Sequence, residues 1–303
     1  MRNLKIRLLV LLLCSIFSTP ALSDDVASEL AAATAELATS TFQLKYDFAE
    51  GEVIRYRVEH LATVDTKISG NKQVTKSTSK STKAWKVESV EGQNITFVHM
   101  IEDAQMWQQV DGRDEVRYDS KSATPPPSEY EHVSKSIGKT LATVTIDQSG
   151  AVIARKSDSK TPDLGFGGLV VPLPKEPVEL LHSWTVPKTM RLRDKDGRIK
   201  EVKTQMRYRL EKVETGIATI SVKTEVLTPV NDATLKSQLV QQISNGVVKF
   251  DIDAGRVLSK QLDWTENVIG FNGPGSNMKY LARFTETLVE PQTASRQVKS
   301  EAR

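Results

Sequence analysis

Residues 84–98, AWKVESVEGQNITFV, return as residues 207–222, RYRLEKVETGIATISV, and this repetition limits the fold more than any other feature of the chain. Setting Trp85 against Tyr208 matches Val87 to Leu210, Val90 to Val213, Glu91 to Glu214, Thr96 to Thr219 and Phe97 to Ile220 without a gap. Each copy reads as strand, short turn, strand, because apolar and polar residues alternate with the period of two that sends successive side chains to opposite faces of a sheet. A second pair follows, VTIDQSGAVIARK at 144–156 and VVKFDIDAGRVLSK at 247–260, in which Val152 meets Val257, Ile153 meets Leu258 and Arg155 meets Lys260. Both turns keep a glycine, Gly150 and Gly255, where a hairpin loop calls for positive φ. Amphipathic strands resemble one another for simple reasons, so the order of elements is the stronger argument.

That order is the same in both halves. Between its matched hairpins each half offers one short helix. In the first, SEYEHVSKSIG puts Ser128 three residues before Glu131, a capping-box spacing, and sets Tyr130, Val133 and Ile137 on one face. In the second, Leu235, Leu239, Val240 and Ile243 form the apolar face after Asp232. Regular alternation opens at EVIRYRVEH, with Ile54, Tyr56 and Val58 on one side. The Thr-, Ser- and Lys-rich stretch at 66–82 fits a solvent-facing hairpin or a loop. The expected fold is mainly β: antiparallel sheets in two related halves, a duplicated β-meander plus one short helix per half, arranged as an open barrel or a sandwich.

The flanks divide the rest of the chain. MRNLKIRLLVLLLCSIFSTPALS at 1–23 has basic residues, an apolar run too short for a bilayer and a small-residue end, the layout of a secretory signal peptide cleaved before Asp24. The expected order is then an Ala-rich linker or short helix at 24–41, a first β-rich half at 42–156, a connector at 157–176, a second half at 177–290 and a disordered tail at 291–303. The connector carries the apolar LVVPLP, which a polar tether would lack, so the halves are expected to pack together. No further segment is long and apolar enough for a transmembrane helix, and the expected location is periplasmic or secreted.

Charge and cysteine usage narrow the chemistry. Of 41 basic residues three, Arg2, Lys5 and Arg7, fall in the leader, leaving 38 against 38 acidic ones. A balanced chain has no long-range field to gather nucleic acid, so no nucleic-acid partner is expected. The single cysteine, Cys14, lies in the leader too, which removes disulfides, thiolate metal sites and a cysteine nucleophile from the mature chain. Anchoring of a lipid through Cys14 is disfavoured by Leu13, where such processing uses a small residue.

The search for catalytic motifs returns little. His60, His99, His132 and His182 are scattered, without metal-ligand spacing, and fit surface or strand-end positions. There is no nucleophile elbow, phosphate loop or dinucleotide fingerprint. The acidic stretch EDAQMWQQVDGRDEVRYD holds Glu102, Asp103, Asp111, Asp114 and Glu115 beside Trp107 and Tyr118; it reads as a polar hairpin, with an acid-pair hydrolase as the enzymatic alternative. DIDAG at 251–255 has Asp251 and Asp253 but not the remaining ligands of a calcium loop, so a turn is expected and no cofactor or metal is assigned. FNGPGSN at 271–277 reads as another turn. Trp85, Trp107, Trp184 and Trp264 lie in or beside strands; core packing is their default, and they are the candidate ligand-binding residues if the sheets enclose an apolar groove.

The leader, FAEGEVIRYRV, KAWKVESVEG, a helix, VTIDQSGAV and a second cycle opening at HSWTVP resemble a family of exported bacterial β-repeat proteins of unknown function. The resemblance spans nearly the whole mature chain and implies no activity or site. In architecture alone the chain is also similar to the half-barrel carriers that ferry lipoproteins across the periplasm. The functional expectation is a non-catalytic binding or carrier protein with a hydrophobic ligand in a groove between the halves. An envelope structural or protein-interaction module is the alternative.

Overall fold

Alternation over ten to twenty residues produces strands of matching length. In the computed structural model, which describes residues 40–157 and 170–289, these are β1 (Thr41–Phe42), β2 (Val53–Ile68), β3 (Asn71–Glu91), β4 (Asn94–Val110), β5 (Val116–Asp119), β6 (Thr140–Asp147) and β7 (Val152–Lys156). The second half supplies β8 (Val178–Glu179), β9 (Ser183–Arg193), β10 (Ile199–Glu214), β11 (Ile217–Val226), β12 (Asn245–Asp251), β13 (Arg256–Ile269) and β14 (Asn277–Leu288). One helix follows in each half, α1 (Glu131–Ser134) after a 3-10 turn, and α2 (Ala233–Leu239). The expected signal peptide at 1–23, nearly all of the Ala-rich segment, the middle of the connector and the tail lie outside the described residues.

All the long strands join one antiparallel sheet in the order β7-β6-β4-β3-β2-β14-β13-β12-β11-β10-β9, with β5 beside β4. Read from one edge, β7-β6-β4-β3-β2 and β13-β12-β11-β10-β9 are the same arrangement twice, and β14 fills the seam between them. The register repeats as well. Trp85 pairs with His99 as Tyr208 pairs with Val222, and a bulge interrupts β3–β4 between Val87 and Ser89 as it interrupts β10–β11 between Leu210 and Lys212. The later hairpins share one too, at Thr145/Ile146 and at Lys249/Phe250. Bulges bend and twist a strand, so matched bulges give the two halves the same curvature.

The sheet curls around the segment that precedes β2. The ends of β6 and β12 are six strand spacings apart along the sheet, roughly 29 Å if it were flat. Yet the Tyr46 N–H donates to Gln148 in the β6–β7 turn (2.8 Å), and the next N–H, of Asp47, donates to Gly255 in the β12–β13 turn (3.0 Å). The two glycine turns thus serve as equivalent seats for one strap. Both glycines have positive φ, and a Cβ on Gly255 would lie 2.5 Å from Asp47 N, so only glycine permits the approach.

The concave face buries the large side chains. Trp85 stacks on Phe97 with ring centroids 4.7 Å apart, and Tyr46 meets Phe250 edge-on at 5.6 Å. The connector completes this core through Val170, Val171 and Leu173, all buried. Tyr46 locks it in place: its hydroxyl accepts from Val171 N–H (2.9 Å) and donates to the Val171 carbonyl (3.0 Å). Among the described residues no helix is long and apolar enough to cross a membrane.

The helices differ from their sequence signatures in one respect. Asp232 caps α2 as its position predicts, accepting from Thr234 N (2.7 Å) and Leu235 N (3.3 Å). Ser128 does not complete a capping box; its hydroxyl donates to Glu129 instead, and α1 is one turn long. Tyr130 still packs on Tyr118, with Val133 and Ile137 beside them.

Candidate functional site

α2 packs between β9 and β13. Its inward Leu235 and Leu239 pack on Leu192 of β9 and Val202 of β10, and Gln238 exchanges hydrogen bonds with the Arg193 backbone. Just past the C-terminal end of the helix the indole of Trp264, on β13, donates to the Gln241 carbonyl (3.0 Å). Against this following segment, at Gln241, Gln242 and Ser244, lies a cavity of about 270 Å³. Met190, Met206, Val222, Val248, Leu262 and Trp264 contribute apolar wall, and Val170 and Val171 of the connector border it.

The polar groups on that wall are largely engaged elsewhere. Thr204 donates to the Lys188 carbonyl (3.1 Å), while Thr224 donates to the Met206 sulfur (3.0 Å) and accepts from Ser244 N–H (3.2 Å). A largely apolar wall whose threonine hydroxyls are satisfied offers a ligand mostly dispersion contact and removal of apolar surface from water. Tyr208, also on the wall, is pushed up to about 12 by burial and stays neutral.

Next to the cavity the core holds three charges. Glu286 of β14 accepts from Lys83 of β3, and its other oxygen lies 2.9 Å from the Lys260 ammonium of β13. All three side chains are buried, and Lys260 also lines the cavity. Burial opposes ionisation of Glu286, but the Lys260 and Lys83 charges and their hydrogen bonds outweigh it and hold the carboxyl at about 2. Lys83 is shifted down, first by burial, with Lys260 adding to the effect and Glu286 opposing it; its ammonium stands 4.7 Å from the Trp85 ring and 4.9 Å from that of Tyr56. The sequence reading missed this group. Its signal was the strand phase, since Lys83 is two residues before Trp85 and Glu286 two after Phe284, both on the inward side.

The four tryptophans do not share one groove. Trp264 borders the cavity. Trp184 stacks on Tyr208 at 5.6 Å and donates to the Pro172 carbonyl, one layer behind it. Trp85 is in the core of the first half. Trp107 lies on an open depression of about 660 Å³ with Tyr118, Pro125 and Pro127, where its indole donates to Glu115 (2.9 Å). The acidic stretch is spread over local partners: Glu102 on Arg55, Asp103 on Lys121, Asp111 on the Val74 N–H and Glu115 on Arg117. Arg117 and Trp107 hold Glu115 below the ordinary carboxylate range, the direction opposite to a general acid's.

His60 departs from the strand-end expectation. It is buried in the middle of β2, edge-on to Trp264 at 6.2 Å, and burial lowers its pKa. DIDAG forms the β12–β13 turn, with Asp251 accepting from Ala254 N–H (2.8 Å).

No family model and no curated protein matches the chain. Among solved structures, one of lipovitellin concerned with lipid–protein interactions overlaps 80% of this chain at 12% identity with a TM-score of 0.41, and the match spans 26% of that protein. DynF of the dynemicin biosynthesis pathway of Micromonospora chersina overlaps 84% of this chain and 87% of its own at 6% identity, TM-score 0.22. A DUF1329 family protein from Desulfovibrio piger overlaps 88% and 91% at 10% identity, TM-score 0.15. At these scores none of them assigns the chain a relative.

Proposed function

We propose that the chain is an exported, non-catalytic carrier that takes a small hydrophobic molecule, or the end of an acyl chain, into the cavity beside the segment that follows α2. The observation that carries this reading is the cavity itself: about 270 Å³ of space with largely apolar walls and satisfied threonine hydroxyls. That is just under the roughly 300–1,000 Å³ typical of small-molecule sites. The leader at 1–23 supports export, and the resemblance to exported β-repeat proteins agrees with it.

Native mass spectrometry of the protein purified from its producing host, compared with denaturing conditions, tests the reading. An apolar molecule released on denaturation supports it. Val222→Phe supplies the control. Because the ring enters existing space, stability stays within about 1 kcal/mol of the parent, where overpacking a filled core would cost about 1–3 kcal/mol, and the bound mass disappears. A bare polypeptide that also takes up no added apolar probe overturns the proposal and favours the envelope interaction module, whose surface would be the depression at Trp107.

A further inference from the structure

Among the described residues, the charged side chains that line the cavity are of one sign. Among the described lining residues are two lysines, Lys188 and Lys260, and no carboxylate. Lys188 is exposed, and its ammonium donates to the Gln242 side chain (3.1 Å). Lys260 is 6% exposed and its ammonium is held by Glu286. That same carboxylate serves Lys83, so two ammoniums share one carboxylate in the core.

Charge taken out of water is stabilised only by counter-charge and hydrogen bonds supplied on the spot. A ligand that carries an anion into the cavity adds counter-charge to this group. A neutral ligand adds none, and a cationic one meets the like charges of Lys188 and Lys260. Electrostatics therefore separates ligands that the apolar wall alone would accept equally.

Building on the carrier reading, we propose that the cavity selects singly charged anionic amphiphiles, with the apolar body against Met206, Val222, Leu262 and Trp264 and a carboxylate-type head at Lys260. Lys260 lies two residues before Leu262 and four before Trp264 on the inward phase of β13, so head and body contacts are set along one strand.

The test compares three probes of equal chain length, decanoate, decanol and decyltrimethylammonium, by titration calorimetry on the full mature chain at pH 7.5. Decanoate is expected to bind at least tenfold tighter than decanol, with the cation weakest. Lys260→Gln leaves Lys83 and Glu286 as a one-to-one pair, and circular dichroism checks its fold. In that variant the decanoate preference falls to within about twofold. Equal binding of decanoate and decanol to the parent overturns the anion selection and leaves the carrier reading standing. A preference that survives Lys260→Gln overturns the placement of the head. Failure of all three probes to bind overturns the carrier reading and this inference together.

Discussion

Replacing Glu286 with glutamine is expected to be among the most damaging single changes outside the glycine turns. The carboxylate is 3% exposed and is the shared partner of Lys83 and Lys260. Its folded-state pKa of about 2 lies below the ordinary 4.5. A depressed pKa means that the ionised form stabilises the fold above the unfolded-state value, and that this contribution is lost as pH falls toward the folded one. The difference corresponds to about 3 kcal/mol at neutral pH. Removing one partner of a buried ion group independently predicts about 3–5 kcal/mol. Urea unfolding followed by tryptophan fluorescence should therefore show Glu286→Gln with a lower midpoint at pH 7 and an unchanged m-value. The gap between parent and variant should shrink to about half by pH 3. Replacing all three together, as Lys83→Met, Glu286→Leu and Lys260→Met, should restore most of the loss, because an apolar group of similar volume has no charge to desolvate. A loss under about 1 kcal/mol for Glu286→Gln, or a gap indifferent to pH, would refute the view that this carboxylate holds two buried cations.

The strap and α2 give three further expectations. Gly255→Ala should cost at least about 2 kcal/mol more than Gly70→Ala in urea unfolding, because both have positive φ but only at Gly255 would the new Cβ meet backbone, 2.5 Å from Asp47 N, while Gly70 faces open space. Tyr46→Phe removes the hydroxyl that both accepts from and donates to Val171, and should lower the unfolding free energy by about 1–3 kcal/mol in the same assay. Asp232→Ala removes the cap of α2 and should cost about 1 kcal/mol; hydrogen exchange of the Leu235 and Lys236 amides should speed up as the first turn loosens.

Local chemistry was legible in the sequence, and non-local chemistry was legible only in part. Alternation at Ile54, Tyr56 and Val58, or at Leu210, Ile220 and Phe250, shows which face is buried because side-chain direction in a strand depends on position alone. The hairpins were readable from their glycines for the same reason. At α1 the local signal misled: Pro125, Pro126 and Pro127 lead directly into a 3-10 turn, which leaves Ser128 without the extended backbone that an N-cap needs. The insertion of β14 between β2 and β13 has no local signature at all, since strand order depends on pairings across more than two hundred residues. The ion group fell between these cases. Each charged residue stood visibly on an apolar phase, but that they meet follows from β14 being in the seam.

The repeat also accounts for why the cavity is in one half. Positions that pair identically in the two copies carry Lys83 and Ile101 in the first, and Met206 and Thr224 in the second. Next to them, His99 opposite Trp85 corresponds to Val222 opposite Tyr208. Three of these four substitutions along the second copy, Tyr for Trp, Val for His and Thr for Ile, replace a larger side chain with a smaller one. Interiors are packed densely enough that a loss of this kind leaves space unless the backbone collapses. Here the matched bulges hold both halves to one curvature, and the C-terminal end of α2 and the segment after it are tied to β9 and to β13, so collapse is resisted. Duplication supplies the frame, and the lighter side chains of the second copy accompany the cavity in its core.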